Sequence, residues 1–148
     1  MPPSLSDRLR AAMNEARKNR DQARTLLLST VLADLQNRDI ELQHPVSDAE
    51  AIDVLRRGIK RRREAIEMYA KGGRKDLEAK EAAEIKMIEE FLPAEAPPED
   101  IRAAVREAIA AGAKDLGQVM GQVMPKFKGR ADGKVVNQIA REELAATV

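Results

Sequence analysis

The chain has 148 residues, of which 43% are hydrophobic, 34% charged and only 2% aromatic, and its formal net charge is +1. This length allows one compact domain or two small ones, and the near-neutral charge means that any nucleic-acid contact must rest on local clusters. The absence of cysteine excludes disulfides, thiolate nucleophiles and Cys-ligated zinc. No apolar run is long enough for a signal peptide or a membrane span, so the cytosol is the expected location.

The first part of the chain has the apolar spacing of helices. The first helix is predicted to start after a cap at Ser4 or Ser6 and to end near Asn19. The second is predicted to run from a cap at Asp21 to about Gln43, because the following proline disfavours helix.

Two further helices are predicted before residue 93. The third begins with a capping box at Ser47 and Glu50 and ends at Gly72-Gly73. The fourth runs from about Asp76 to Leu92. Because the second and third helices are long and amphipathic, we expect them to pack as an antiparallel hairpin.

The segment Pro93–Pro98 contains three prolines and predicts a stiff, extended linker. We therefore expect an N-terminal domain of residues 1–92 and a C-terminal domain of residues 99–148. Three shorter helices are predicted in the second domain: one before Gly112, one capped by Asp115, and one from about Asp132 to Ala146. The predicted fold is all-α, with a four-helix N-terminal region and a C-terminal three-helix bundle.

Side chains suited to catalysis or metal binding are scarce. The single histidine, His44, precedes Pro45 and is predicted to be an exposed turn residue. No nucleophile elbow, glycine-rich phosphate loop or HExxH motif is present. The carboxylates lie on polar helix faces beside Lys or Arg. We therefore predict no catalytic residue, no metal site and no cofactor.

The first of two basic clusters spans residues 56–63 of the predicted third helix. At about 100° per residue, Arg57, Lys60 and Arg61 share a side away from the apolar seam. They form either a solvated face balanced by glutamates or a strip that neutralises phosphates. Arg62 falls on the seam itself, so it must extend to solvent, pair with a carboxylate or mark a contact surface. Close packing would explain Gly58, which weakens a helix by about 1 kcal/mol.

The second basic cluster lies where two predicted helices meet, between residues 126 and 134. Gly129 is expected to take a positive φ at the turn, Asp132 to cap the last helix, and Gly133 to leave room for a backbone or ligand. The cluster is either a structural turn with incidental charge or a site for phosphate or another anion. Its cations are Lys126, Lys128, Arg130 and Lys134.

The same junction resembles the signature of a known family. The run Lys128-Gly129-Arg130-Ala131-Asp132-Gly133-Lys134, with Asn137 after it, is similar to the signature of the GatB/YqeY family. The first half is also similar, with Asn37 in a long helix, Tyr69-Ala70-Lys71-Gly72-Gly73-Arg74 after a basic helix, and Phe91-Leu92-Pro93 after an acidic one. The resemblance covers essentially the whole chain.

The resemblance implies a role beside tRNA. Modules of this family occur alone or as the C-terminal tail of GatB in the glutamyl/aspartyl-tRNA amidotransferase, a glutamine-dependent carbon–nitrogen ligase, where the tail helps to engage tRNA. This chain is too short for the catalytic cradle of GatB and lacks the Ser-Ser-Lys apparatus of the amidase component. It is thus expected to be a non-catalytic tRNA-binding accessory module. The expected nucleic-acid-binding residues are Lys126, Lys128, Arg130, Lys134, Asn137, Arg57, Lys60 and Arg61.

Two other functions stay open at the level of sequence. The protein can be a docking module for an amidotransferase or aminoacyl-tRNA synthetase. In that case Met120, Met124 and Phe127 form either an adaptable apolar patch or simply part of the core. It can also be an amidotransferase by itself, which would require a nucleophile or metal site that the sequence does not contain.

Overall fold

The protein is described here by a computed structural model covering residues 2–147, and all regular secondary structure within that range is helical. The all-α prediction is confirmed. The seven α-helices of the described range are α1 (Leu5–Lys18), α2 (Gln22–Leu42), α3 (Asp48–Lys71), α4 (Lys75–Glu89), α5 (Pro98–Ala110), α6 (Leu116–Val123) and α7 (Gly133–Ala146), with a 3₁₀ turn at Met124–Phe127.

The helices form two compact units, one extending through Leu92 and the other beginning at Pro93. Each unit has its own apolar core. Ala96, inside the proline-rich segment, is buried in the second core, and its N–H donates to the carbonyl of Arg130 at 2.8 Å. Whether this segment acts as a stiff linker stays a prediction.

The helix starts follow the predicted caps. Ser4 Oγ accepts from the N–H of Asp7 at 3.1 Å, and the Asp21 carboxylate accepts from Arg24. Both halves of the capping box are present, because Ser47 Oγ accepts from the Glu50 N–H and the Glu50 carboxylate accepts from the Ser47 N–H. These local bonds satisfy amides that have no partner within the helix.

Helix α4 ends at Glu89 and not at Leu92 as predicted. The N–H of Phe91 donates to the carbonyl of Ile88, and that of Leu92 donates to the carbonyl of Glu89. Bonds of this shorter span tighten the last turn. Phe91 lies in this last turn and is buried in the first core. The apolar spacing alone had predicted that the helix continues through it.

In the first unit the most extensive helix contacts join α3 with α4 and α1 with α2, whereas the contact between α2 and α3 is smaller. The hairpin of α2 and α3 is therefore not the main packing feature. The reason is that α1 covers the apolar stripe of α2 and α4 covers that of α3. Helix α1 is also tied to the start of α3, because the Leu5 N–H donates to Asp48 at 2.9 Å.

Arg62 on α3 pairs with carboxylates of α4. Its Nε lies 3.0 Å from a Glu84 oxygen and 4.0 Å from a Glu81 oxygen, and only 13% of its side chain is exposed. The guanidinium also donates to the carbonyl of Gly58 at 3.1 Å. A Cβ on residue 58 would lie 3.2 Å from Arg62 Nη1. Gly58 therefore gives this arginine room to lie along α3.

In the second unit, α5, α6 and α7 pack around a small aliphatic core. Val105, Val119, Val123, Val136 and Ala140 are fully buried, as their helical spacing predicted. Helix α6 ends at Val123 and continues as the 3₁₀ turn, which contains Pro125. Proline has no N–H to donate to a preceding turn, which accounts for the change of helix type.

The first core provides a matched pair of leucines on α2. Leu28 is fully buried, whereas Leu26 is 67% exposed. We expect Leu28→Ala to lower the free energy of unfolding by about 2–5 kcal/mol, because it removes buried methyl groups and leaves a cavity. Leu26→Ala should change it by no more than about 0.5 kcal/mol. Urea denaturation of both variants checks this, and equal effects would contradict the assigned orientation of α2.

Candidate nucleic-acid interface

The turn between α6 and α7 is held from its inner side. Phe127 is buried, and its carbonyl accepts from the N–H of Arg130 at 2.8 Å. The carbonyl of Arg130 accepts in turn from Ala96. Between them Gly129 has a φ of +77°, as predicted, a conformation that side chains with a Cβ rarely adopt. The backbone of this turn is therefore fixed at both ends.

Asp132 caps α7 as predicted, because its carboxylate accepts from the N–H of Lys134 at 2.9 Å. The N–H groups of Val135 and Val136 donate to the carbonyl of Asp132. A Cβ on Gly133 would meet only the Met124 methyl at 3.7 Å, an ordinary contact, so crowding does not explain this glycine. Since these amides are already engaged, an anion would be held mainly by the cationic side chains.

The cations of the turn differ in how far they are compensated. Lys128, Arg130 and Lys134 are exposed, and within residues 2–147 no carboxylate lies at ion-pair distance from them. Lys126 Nζ lies 3.9 Å from a Glu107 oxygen, and both side chains are more than half exposed, so this contact is weak. We call Lys126, Lys128, Arg130 and Lys134 the cationic corner.

Asn137, the last residue of the resembling run, lies on α7 beyond the cationic corner. Its side-chain oxygen accepts from Arg141 Nε at 2.7 Å, one turn further along the helix. This bond orients the carboxamide and occupies its acceptor. Its amide group is the part that remains suited to donate to a phosphate oxygen.

The predicted strip on α3 is more strongly compensated. Arg57 lies 2.9 Å from Asp53 on its own helix, and Arg61 lies 3.4 Å from Asp34 on α2. Both arginines are more than half exposed, so these pairs hold the side chains only weakly. Lys60 is exposed and has no carboxylate neighbour among the described residues. Among the described residues, the α3 strip of Arg57, Lys60 and Arg61 has one cation without a carboxylate at ion-pair distance, whereas the cationic corner has three.

The remaining polar candidates have structural roles. His44 is half exposed, with Nδ1 2.8 Å from the Pro45 carbonyl and Nε2 3.8 Å from Glu50. Hydrogen bonds from the Ser47 backbone and side chain lower the pKa of Glu50. In residues 2–147, no group of three His, Cys, Asp or Glu side chains is arranged to hold a metal ion. No helix in that range has the length and apolar character needed to cross a membrane.

The three residues considered for an apolar docking patch belong to the second core. Phe127 is buried, and Met120 and Met124 are partly buried against the same core. Their contribution to the fold accounts for their apolar character. These three residues therefore do not form the adaptable apolar patch that the docking hypothesis used.

One charged cluster was missed by sequence reasoning. Glu143 on α7 is 7% exposed, and its two carboxylate oxygens accept from Arg106 at 3.1 Å and Arg102 at 2.8 Å on α5. Hydrogen bonds from Arg106 and then Arg102 lower the pKa of Glu143. The signal was available, because Glu143 continues the spacing of the buried residues Ile139 and Ala140.

The fold and the turn together define a small helical protein with two units and an exposed cationic corner. The chain belongs to the YqeY-like protein family, whose model matches residues 6–144. That family is related to the tail of GatB.

Two relatives are similar to the chain over much of its length. An uncharacterized protein of Schizosaccharomyces pombe is 29% identical over 91 residues, which cover 62% of this chain and 74% of that protein. The Altered inheritance of mitochondria protein 41, mitochondrial, of Pyrenophora tritici-repentis is 24% identical over 145 residues, covering 94% of this chain and 80% of that protein.

The Glu143 cluster gives a pH-dependent prediction. Because the folded-state pKa lies below the ordinary value of 4.5, Glu143 adds stability that is fully present above that pH and is lost as pH falls through the folded-state pKa. We expect Glu143→Gln to lower Tm at neutral pH by roughly 2–4 °C. The difference from the unmodified protein should shrink steadily as the pH falls below 4.5.

Thermal unfolding followed by circular dichroism from neutral pH into the acid range checks this expectation. Glu107→Gln is the matched control, because Glu107 is 76% exposed and has only the long contact with Lys126. A Tm difference for Glu143→Gln that stays constant across the titration would show that its carboxylate charge is irrelevant.

Proposed function

We propose that this protein is a non-catalytic accessory module that binds tRNA through the cationic corner. The observation that carries the proposal is the exposure of Lys128, Arg130 and Lys134 without a competing carboxylate at ion-pair distance among the residues that the structure describes. Free ammonium and guanidinium groups can contact phosphates without first breaking an internal ion pair. The family relation to the GatB tail supports tRNA as the polyanion.

The position of the corner suits a phosphate backbone. It adjoins the start of α7, where the helix dipole favours negative charge. The turn is fixed by the backbone bonds of Arg130, so little backbone entropy is lost when a ligand binds. Arg130 can form two parallel hydrogen bonds with one phosphate, whereas the lysines act as point charges.

The proposed recognition reads the shape and backbone of the RNA, not its bases. Phe91 and Phe127 are buried, and the third aromatic residue, Tyr69, is partly exposed on α3 and outside the cationic corner. The corner therefore offers no aromatic platform on which unpaired bases could stack. Arg57, Lys60 and Arg61 on α3 form a secondary strip in this proposal, which would contribute less because two of its cations are already paired. Asn137 would add a neutral donor beside the corner.

We also propose protein partners and a cellular location for this module. An amidotransferase or an aminoacyl-tRNA synthetase would act on the same tRNA, with this module supplying affinity and no chemistry of its own. The cytosolic location expected from the sequence is part of the proposal. The name of one fungal relative contains the word mitochondrial, and that location is stated for the relative alone.

The central prediction concerns Arg130→Gln/Lys134→Gln. Filter binding of total tRNA at about 50 mM and about 200 mM salt should give an affinity that falls steeply with salt for the unmodified protein. The double variant should bind about tenfold or more weakly at the lower salt. The slope of log affinity against log salt should become shallower by about 2, since roughly one unit is lost per phosphate contact.

The matched control is Lys86→Gln/Lys114→Gln, which removes the same charge from exposed positions outside the cationic corner. It should keep nearly all of the affinity and the salt slope. Equal losses in both double variants would mean that only net charge matters. Failure of the unmodified protein to bind tRNA at the lower salt would end the proposal.

A further inference from the structure

The outer face of α2 is unusual in having no charge along most of its length. Between Gln22 and Ile40 every exposed residue of this helix is uncharged, although 34% of the whole chain is charged. The exposed positions of α3, by comparison, are mainly charged, as with Arg57, Lys60 and Glu64. A solvated helix face in so highly charged a protein would be expected to carry Lys and Glu.

The charged residues of α2 in this range are partly buried, and each has a partner in the same unit. Arg24 pairs at 2.9 Å with a carboxylate just after α4, and Asp34 pairs at 3.4 Å with an arginine of α3. Arg38 pairs with Glu41 on its own helix at 2.7 Å. Asp39 accepts at 2.8 Å from a backbone N–H in the connection to α3. The charged side chains that flank the uncharged face are therefore already engaged within the same unit.

The exposed face also has the spacing of a helix–helix contact. Leu26, Thr30, Ala33, Asn37 and Ile40 follow one another in alternating steps of four and three residues, which is the spacing of the contact positions in paired helices. Leu26 is 67% exposed and Ile40 is 74% exposed, and they stand at the two ends of the series. We call these five residues the α2 seam.

We propose that the α2 seam is a self-association surface, on which a second copy of this chain packs its own α2 in antiparallel orientation. The seam is self-complementary about Ala33, because Leu26 and Ile40 lie at equal distances in sequence on either side of it. An antiparallel two-fold arrangement places Leu26 against Ile40 of the partner subunit, and Thr30 near Asn37 of the partner subunit. The small side chain of Ala33 lets the two helices approach closely at the axis.

The lack of charge on the α2 seam favours a second copy of this chain as the partner. At a two-fold axis every charge faces its own copy, so like charges near the axis repel. A face without charges fits a copy of itself, and it lacks the cations that attract a polyanion such as RNA. The surface thus serves a purpose separate from the proposed tRNA contact, and neither depends on the other.

The size of the seam limits the strength of the contact. From Leu26 to Ile40 the seam is about 21 Å long, and a strip about 10 Å wide presents roughly 200 Å² per copy. This is well below the roughly 800 Å² per partner of a stable complex. The proposal therefore predicts a weak dimer that forms as protein concentration rises, and not an obligate one.

Sedimentation velocity over about 10 µM to about 1 mM protein tests the proposal. The unmodified protein should shift from monomer toward dimer, whereas Ala33→Glu and Ala33→Lys should each remain monomeric because like charges meet at the axis. An equimolar mixture of these two variants should recover the dimer, since opposite charges then face each other. Ala82→Glu, at an exposed position of α4, should associate as the unmodified protein does.

A cross-linking experiment reports the geometry directly. The chain has no cysteine, so Ala33→Cys introduces a single thiol, and a two-fold axis at this position brings two Cβ atoms within the roughly 3.5–4.5 Å that a disulfide requires. Mild oxidation should give a covalent dimer for Ala33→Cys and none for Ala82→Cys. A monomeric unmodified protein across the whole range, or a dimer that Ala33→Glu leaves intact, overturns the proposal.

Discussion

A backbone hydrogen bond, from the N–H of Ala96 to the carbonyl of Arg130 at 2.8 Å, joins the segment before α5 to the turn before α7. Ala96 is buried in the second core, so the bond anchors the turn to the interior of that unit. The carbonyl of Arg130 is thereby held on the inner side, while its guanidinium stays exposed. The positive φ of Gly129 allows the chain to turn at this point. The cationic corner depends on this local geometry.

The protein divides its charges between structure and surface. Arg62 with Glu84, and Arg102 with Glu143, join neighbouring helices through ion pairs in which at least one partner is largely buried. The more exposed Arg106 adds a second bond to the buried Glu143. Removing one member of such a pair leaves a poorly solvated charge, so these residues are committed to the fold. Lys128, Arg130 and Lys134 have no such partner in the described chain. A net charge of +1 hides this division, which is why composition alone gives no indication of a polyanion site.

Much of the fold could be predicted because it depends on neighbours in sequence. Capping by Ser4, Asp21, Ser47 and Asp132 is a local interaction, and the apolar spacing of α5 identified its buried side before any partner was known. The features that differed depend on packing between whole helices. Helix α3 packs more extensively on α4, which follows it in the chain, than on α2, which precedes it, and local spacing does not decide between these two neighbours. Only the structure shows those neighbours.

For the candidate site, the local backbone features could be predicted from the sequence, but the surroundings of the cations could not. The sequence placed Lys126 and its neighbours at a turn before a capped helix, and the turn, the positive φ and the cap are present. What no pattern could supply is that no carboxylate within residues 2–147 lies at ion-pair distance from the side chains of Lys128, Arg130 and Lys134, since that depends on where every acidic side chain lies. For the same reason Glu143, which continues an apolar spacing, could not be matched with Arg102 and Arg106 in advance.

In the proposed function, the rigid turn before α7 receives a phosphate backbone. The most direct test is a titration of ¹⁵N-labelled protein with tRNA, following the backbone amide signals at low and at high salt. Shifts should be concentrated between Lys126 and Asn137 at low salt and should disappear when salt screens the phosphates. Binding that shifts signals elsewhere and leaves this segment unchanged would overturn the proposed contact.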